Sequence, residues 1–407
     1  MISWKTSLAR APFYLAMAAA VSILFSIAVS QIILGLALVF LLISKEPLRF
    51  PPIRLPLALF MLGTVISLIF SADPRHGTPQ IRKFFVFLIV LVIYSTYQRV
   101  EQVRTTVLLW GGIAALSAIR SLAQFASIYQ KSEEAHANFY EFYVGSRITG
   151  FTSHWMTLGG EEMLVLLMLA AFLFFAPPSK WKAAGWAVSV LVVASMTLGF
   201  TRSIWLAAFI AGLFLVWFWK RWLVLAAPVL LAGALLVTPV RERLISTFRP
   251  HGDTDSNQFR LVVWRTGLNM IEAHPWLGLG PEEINVKKVF DQYVPADIGE
   301  PRPSGWYGHL HNIYIQYAAE RGIPTMLMMM WLIGKMLYDF IRALRRGVEA
   351  DRRWVLLGAI AVIIAVLVEG FAEYNLGDSE VLTVFLCSST FGYVAARPGF
   401  GYVAART

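Results

Sequence analysis

Long apolar runs separated by short polar breaks fill most of the chain. A membrane helix needs about 20 mostly apolar residues, because the hydrocarbon core is about 30 Å thick and a helix rises about 1.5 Å per residue. Twelve stretches fit that pattern, at approximately 12–27, 29–43, 55–71, 84–97, 105–128, 156–176, 183–199, 204–219, 222–239, 323–341, 354–372 and 380–396. The run from Pro12 to Ile43 is uncharged and too long for one ordinary span, so it divides near Ser26–Ser30. The alternative is a cleaved leader, with Lys5 and Arg10 as its basic start and Ala28-Val29-Ser30 near the cleavage site. The apolar run continues without a polar mature sequence behind it, which favours two spans.

The pattern predicts an all-α integral membrane protein in four parts. Residues 1–239 hold nine spans with short loops, 240–322 form one long loop, 323–396 hold three spans, and 397–407 are a tail. In the tail, Phe391 to Arg397 recurs as Phe400 to Arg406. Two copies at so short a period make no solenoid, so the repeat is set aside from fold reasoning. Composition agrees with the membrane reading. The chain of 407 residues is 57% hydrophobic and 15% charged, against roughly 25% charged in soluble domains. That excludes a disordered chain and leaves too little polar surface for a soluble globule. Cys387 is the single cysteine, so no disulfide forms within the chain.

The net charge of +10 is mainly topogenic. With the N-terminus inside, eighteen Lys and Arg fall in segments assigned to the cytoplasm and six in the short segments outside. This bias puts both termini in the cytoplasm and the long loop outside. No nucleic-acid motif is present, and no nucleic-acid partner is needed to explain the basic charge.

Function concentrates where a chain of short loops breaks its own rule. In the long loop, Leu261, Val262, Trp264, Leu268 and Ile271 give Gln258 to Ala273 a helical stripe. His274-Pro275 ends it, and Gly278-Leu279-Gly280-Pro281 reads as a turn. That turn is no phosphate loop, since no strand precedes it and no Lys-Ser/Thr follows. A second helix begins near His311-Asn312 and ends at Gly322, before Pro324 and the next span.

The segment Arg260-x3-Trp264-Arg265-x8-His274-Pro275-x2-Gly278-x-Gly280, with His311-Asn312-x-Tyr314-x-Gln316 and Glu320-x-Gly322 behind it, resembles the signature of the O-antigen ligase superfamily. That superfamily also includes O-antigen polymerases and bacterial O-linked oligosaccharyltransferases. The motifs cover about sixty residues, and the layout of twelve spans with one large loop before the last three extends the likeness. The resemblance implies a GT-C-like glycosyltransferase of the bacterial inner membrane with a periplasmic active site. Its donor would be an undecaprenyl-diphosphate-linked glycan, its acceptor the outer core sugar of lipid A-core, its surroundings membrane lipids, and its mechanism inverting, with no metal and no cofactor. The chain ends almost at its last span, whereas protein-modifying members often carry a further periplasmic region, which favours the ligase. The polymerase and the protein transferase share the donor chemistry. A lipid-linked glycan transporter is the rival of another class. Against it, no internal repeat is seen and the signals gather in one loop.

The chemistry asks for a base and for cations. An acceptor hydroxyl must lose a proton, which suits a histidine. A departing diphosphate must be held, which suits arginine's planar fork. His311 is the candidate base: it stands at a helix start, where the dipole disfavours imidazolium, and the motif puts its histidine immediately before Asn. The plain alternative is a helix cap. His309, Asn312 and Tyr314 are additional candidates beside it. Arg265, Arg202 and Arg147 are the candidate diphosphate ligands. Arg202 lies in the very short Thr201-Arg202-Ser203 hairpin at the membrane surface, and its alternative is an interfacial anchor. Arg265 and Arg147 have surface arginines as their alternatives.

Arg120 lies inside a predicted span, where a charge is costly. It is expected either to face the diphosphate or to pair with Glu369. Lys335 is expected to snorkel to the cytoplasm, Glu161 and Glu162 to act as helix-start charges, and Glu373 and Asp378 to be solvated. Asp253-x-Asp255 resembles a metal-holding pair but sits among turn formers, so a solvated turn is the better reading and no metal site is assigned. Trp306, Tyr307, Tyr314 and Tyr317 crowd the histidine, where they could stack on sugars or bury the loop.

Overall fold

The computed structural model describes residues 4–234, 236, 241, 256–299 and 308–397. It is all-helical among these residues. The helices are α1 (Trp4–Ser22), α2 (Ile27–Ile43), α3 (Arg54–Ile69), α4 (Thr78–Arg82), α5 (Phe84–Thr96), α6 (Val100–Glu134), α7 (Phe139–Gly145), α8 (Trp155–Phe175), α9 (Lys182–Leu198), α10 (Arg202–Lys220), α11 (Ala227–Ala234), α12 (Ser256–Ala273), α13 (Lys287–Asp291), α14 (Ile313–Arg346), α15 (Ala350–Glu369) and α16 (Ser379–Ala396). By length and composition, Thr78–Thr96, Val100–Glu134, Trp155–Phe175, Arg202–Val229 and Ser379–Ala396 can each cross a membrane. Ile27–Ile43, Arg54–Ile69 and Lys182–Leu198 are apolar but shorter. The chain is therefore an integral membrane protein in character.

Helices α8, α15 and α16 form the centre and pack on one another. They are apolar on nearly every side, which in a helix means burial all round. Trp354, Val362, Phe385 and Phe391 are sealed there. The other helices surround this trio: α10 lies on α8 and α15, α5 on α16, α6 on α9 and α8, and α3 on α14. The first apolar run is a helical hairpin, α1 against α2. Ser26 caps α2 by accepting from the Val29 amide, Ser30 Oγ donates to Ala19 O at 2.8 Å, and Ala16, Ala19 and Ala20 are buried.

Several expectations need correction. The stretch predicted as the ninth span is a 3-10 turn, Arg221–Ala226, followed by the short α11, and the residues at 237–239 lie outside those described. The first copy of the terminal repeat belongs to the fold: Phe391, Tyr393 and Val394 are buried in α16, and Arg397 sits on the Tyr94 ring and donates to Tyr94 O. The second copy lies outside the described residues. Lys335 does not simply snorkel, because its ammonium pairs with Asp339 at 2.5 Å, and Asp339 also accepts from Tyr393. Glu161 and Glu162 lie beyond the first turn of α8 and are 4% and 2% exposed. Arg120 does not pair with Glu369. It is exposed on α6 with its guanidinium over the Phe151 ring, while Glu369 accepts from Asn375 Nδ2 at 2.9 Å.

Candidate active site

The site is built around a break in α14. Pro324 has no N–H, so the Glu320 carbonyl loses its helical donor. The Ile323 amide turns away to Pro275 O at 2.8 Å, which also frees the Ala319 carbonyl. The 275–280 turn fills the gap: Leu279 N donates to Ala319 O and Gly280 N to Glu320 O, each at 2.9 Å. Ser67 Oγ on α3 adds a donor to Glu320 O at 2.9 Å. The backbones come so close that side chains cannot fit. A Cβ on Gly322, at φ 78°, would lie 2.1 Å from Trp276 O, and one on Gly278, at φ 68°, would lie 2.3 Å from the Glu320 carbonyl carbon. Helix α12 is seated on this frame through Val263, Met270, Leu310 and Ala319, with Ile284 and Phe290 from the 281–291 segment.

The Glu320 carboxylate joins the same frame from within. It accepts from Gln316 Nε2 at 2.9 Å and from the Glu282 amide, and it pairs with Arg321 at 3.1 Å. Gln316 Oε1 in turn accepts from Leu310 N at 2.8 Å. Burial pushes the Glu320 carboxyl up, against the opposing charge of Arg321. This chain of bonds fixes the segment that leads to the histidine.

His311 follows in the left-handed region at φ 47°, and Asn312 then starts α14. The Asn312 side chain accepts from the Tyr314 and Ile315 amides and donates to Phe371 O. Ile313 N donates to Gly370 O at 2.8 Å and the Tyr314 hydroxyl to Leu367 O at 2.8 Å. Asn312 and Tyr314 thus pin the histidine to the 370–378 turn.

That turn supplies the partner. His311 Nδ1 lies 2.9 Å from one Glu373 oxygen and 3.2 Å from the other. Arg260 approaches the same carboxylate at 3.9 Å, Phe259 flanks the imidazole at 5.9 Å, and Trp264 Nε1 reaches His311 O at 3.4 Å. Burial pushes the Glu373 carboxyl up, but the charge of His311, its hydrogen bond and the charge of Arg260 outweigh that and hold it below the ordinary value. When the imidazole is neutral, an ionised carboxylate on Nδ1 favours the proton on that nitrogen and leaves the Nε2 lone pair as the acceptor. The His311 side chain stays about a quarter exposed. The expectation that Glu373 and Asp378 are solvated is corrected: Glu373 is 9% exposed, and Asp378 accepts from Thr157 Oγ1 at 2.8 Å.

Further groups stand around this pair. His154 caps α8, with Nδ1 accepting from Met156 N. Burial lowers its pKa, Glu373 and Asp378 act against that, and Arg147 and His311 add to it. Burial raises the Asp378 carboxyl, its bond from Thr157 opposes, and Glu373 adds to the rise. Arg147 lies over the Trp155 ring at 5.1 Å. His309 faces Tyr374 at 5.7 Å. Arg202 is the first residue of α10 and half-buried. The segments carrying Arg147 and Arg202 are packed together through Tyr143, Ile148 and Phe200. Arg265 faces elsewhere: it forms two bonds to Asp297, at 2.9 and 2.8 Å, on an exposed face of α12. Among the described residues, no three His, Cys, Asp or Glu side chains gather as a metal's ligand set. Asp253, Asp255, Trp306 and Tyr307 lie outside those residues.

Sequence reasoning missed Glu373, Arg260 as a partner of the histidine, and His154. Arg260 stood in the motif already, one turn before Trp264 and so on the same face. Glu373 and His154 carried no local signal, because their neighbours are distant in sequence.

The family described as O-antigen ligase matches residues 187–330. This match supports membership of the O-antigen ligase family. No curated protein matches the chain. The matched segment runs from α9 into α14 and holds Arg202, Arg260, Arg265 and His311. It does not reach Arg147, His154 or Glu373. The match supports a ligase- or polymerase-type activity.

Proposed function

We propose that the protein transfers O-antigen glycan from undecaprenyl diphosphate to the outer core sugar of lipid A-core, on the periplasmic face of the bacterial inner membrane. The observation that carries this reading is the His311–Glu373 pair at 2.9 Å, which joins a histidine inside the segment matched to the O-antigen ligase family to a glutamate outside it. Glu373 orients the imidazole and stabilises the imidazolium that forms, as a carboxylate does for a catalytic histidine elsewhere. Nε2 of His311 takes the proton of the acceptor hydroxyl. The hydroxyl oxygen bonds to the anomeric carbon as the bond from that carbon to the diphosphate breaks, and the electron pair leaves on the diphosphate. One displacement of this kind inverts the anomeric centre.

Arg202 and Arg147, from two segments packed side by side, are the proposed holders of the diphosphate, with Arg260 nearest the base. Arg265 could join them only by exchanging Asp297, and an exposed pair exchanges readily. Arg120 lies farther out, on the exposed face of α6, where a guanidinium can meet a lipid phosphate as it arrives.

The test is a reconstituted transfer from undecaprenyl-diphosphate glycan to lipid A-core, with EDTA present and no nucleotide. Glycan-bearing lipid A-core that forms only when His311 is intact supports the proposal. Product on a protein hydroxyl or on a second lipid-linked glycan would reassign the acceptor. Movement of lipid-linked glycan with no new glycosidic bond would replace the enzyme with a transporter.

A further inference from the structure

Only the short α4 separates α3 from α5 in sequence, and the two meet at Phe60 and Phe87 but pack mainly on other helices. Helix α3 packs on α14, and α5 on α16, α1 and α2. Between α3 and α5 lies an open groove of about 620 Å³, within the size range of small-molecule sites. Leu57, Met61, Phe84, Phe87 and Leu91 are among the side chains that line it, and Arg54 is the one charged residue on its wall. Arg54 is exposed and makes no ion pair among the described residues.

The two ends of the groove differ. Helix α3 ends, and α5 begins, at the His311 end of the molecule, where Ser67 bonds Glu320 and Gln80 bonds Glu282. Arg54 starts α3 at the other end. There the preceding loop is tied to α5 by Arg49 N donating to Ser95 Oγ at 2.9 Å, and it carries exposed Lys45, Glu46 and Arg49, which with Arg54 leave the rim net positive. Arg397 lies beside them on Tyr94. The apolar channel thus opens onto a cationic rim on the face opposite the active site. A ligand that fits has a long apolar chain and an anionic head at that face. The donor is the wrong way round, because its diphosphate belongs at the His311 end.

We propose that this groove binds an anionic phospholipid of the leaflet away from His311, with an acyl chain between α3 and α5 and the phosphate on Arg54. Arginine near an anionic surface draws such heads electrostatically, and the buried chain supplies apolar contact. The site is separate from the transfer reaction and does not depend on it.

Native mass spectrometry of the purified full chain, titrated with phosphatidylglycerol or phosphatidylcholine, tests this. Wild type should take up one phosphatidylglycerol about fivefold more tightly than phosphatidylcholine, the factor one arginine supplies. Arg54→Gln should erase that preference while keeping the chain-dependent binding. Ala58→Trp, or Leu88→Trp from the other wall, should remove both lipids from a protein whose elution and Tm match wild type. The proposal falls if Arg54→Gln keeps the preference, if both folded tryptophan variants bind as wild type does, or if only an isoprenoid phosphate occupies the groove.

Discussion

Helix α12 carries two arginines that meet carboxylates, and they teach different things. Arg265 and Asp297 have the better geometry, with two bonds at 2.9 and 2.8 Å. Both side chains are half or more exposed, at 50% and 62%. Arg260 reaches Glu373 only at 3.9 Å, yet the two are 19% and 11% exposed. Water and salt screen the first pair, while the second acts in a poorer dielectric and sets the state of a carboxylate that holds a histidine. The tighter contact therefore has the smaller consequence. What matters at a reacting centre is where water is excluded and which group is oriented there.

The largest break in this comparison should come from His311→Ala. Removal of a general base costs on the order of 10²–10⁴-fold, and this variant should lose transfer by at least that factor while its Tm stays near wild type. Full activity in a folded His311→Ala protein would end the base assignment. Glu320→Ala should lose activity by a different route. It breaks a buried ion pair, which costs about 3–5 kcal/mol, so its Tm and its transfer should fall together. An unchanged Tm would show that the Glu320 frame does not hold the loop.

Glu373→Gln should fall toward the low end of the general-base range, about 10²-fold, because an amide no longer selects the Nδ1–H tautomer. A Glu373→Asp variant that recovers part of the rate would support orientation as the cause. Arg260→Gln is expected to cost about tenfold, the factor of one charge interaction near 1.4 kcal/mol, and to change the pH profile. The folded pKa of Glu373 is depressed, so its stabilising effect is present above the ordinary carboxylate range and is lost as pH falls through the folded value. Without Arg260 that value rises, and the acid limb of activity should move to higher pH. An unmoved limb would remove Arg260 from the cluster. Arg265→Lys should have the smallest effect, within about twofold, the scale of an exposed pair. A tenfold loss there would return Arg265 to the diphosphate.

Much of the architecture was legible because it rests on local rules. The split of the first apolar run near Ser26 is a capping event, and Ser26 does cap α2. The helix starting after His311-Asn312 and broken at Gly322 follows from an Asn cap and from Pro324. Residues 222–234 differ from one continuous helix because apolar composition alone does not show where a 3-10 turn interrupts a helical run. Glu161 and Glu162 misled: their place near a helix start suggested exposed charges, but α8 is surrounded by other helices.

The sequence by itself determined the helical membrane class, the loop that interrupts the spans, and His311 within a segment matched to the O-antigen ligase family. Those follow from apolar run length, from capping and proline chemistry, and from a motif contained in one stretch. Only the tertiary structure decided what His311 touches. Glu373 lies 62 residues away on another helix end, and it arrives because Ile313 and Asn312 bond to the 370–371 carbonyls. It also decided that Arg260 faces the histidine while Arg265 faces solvent, since two arginines five residues apart on a helix point in different directions. Burial, which makes the looser of their two pairs the consequential one, comes from the packing of distant segments.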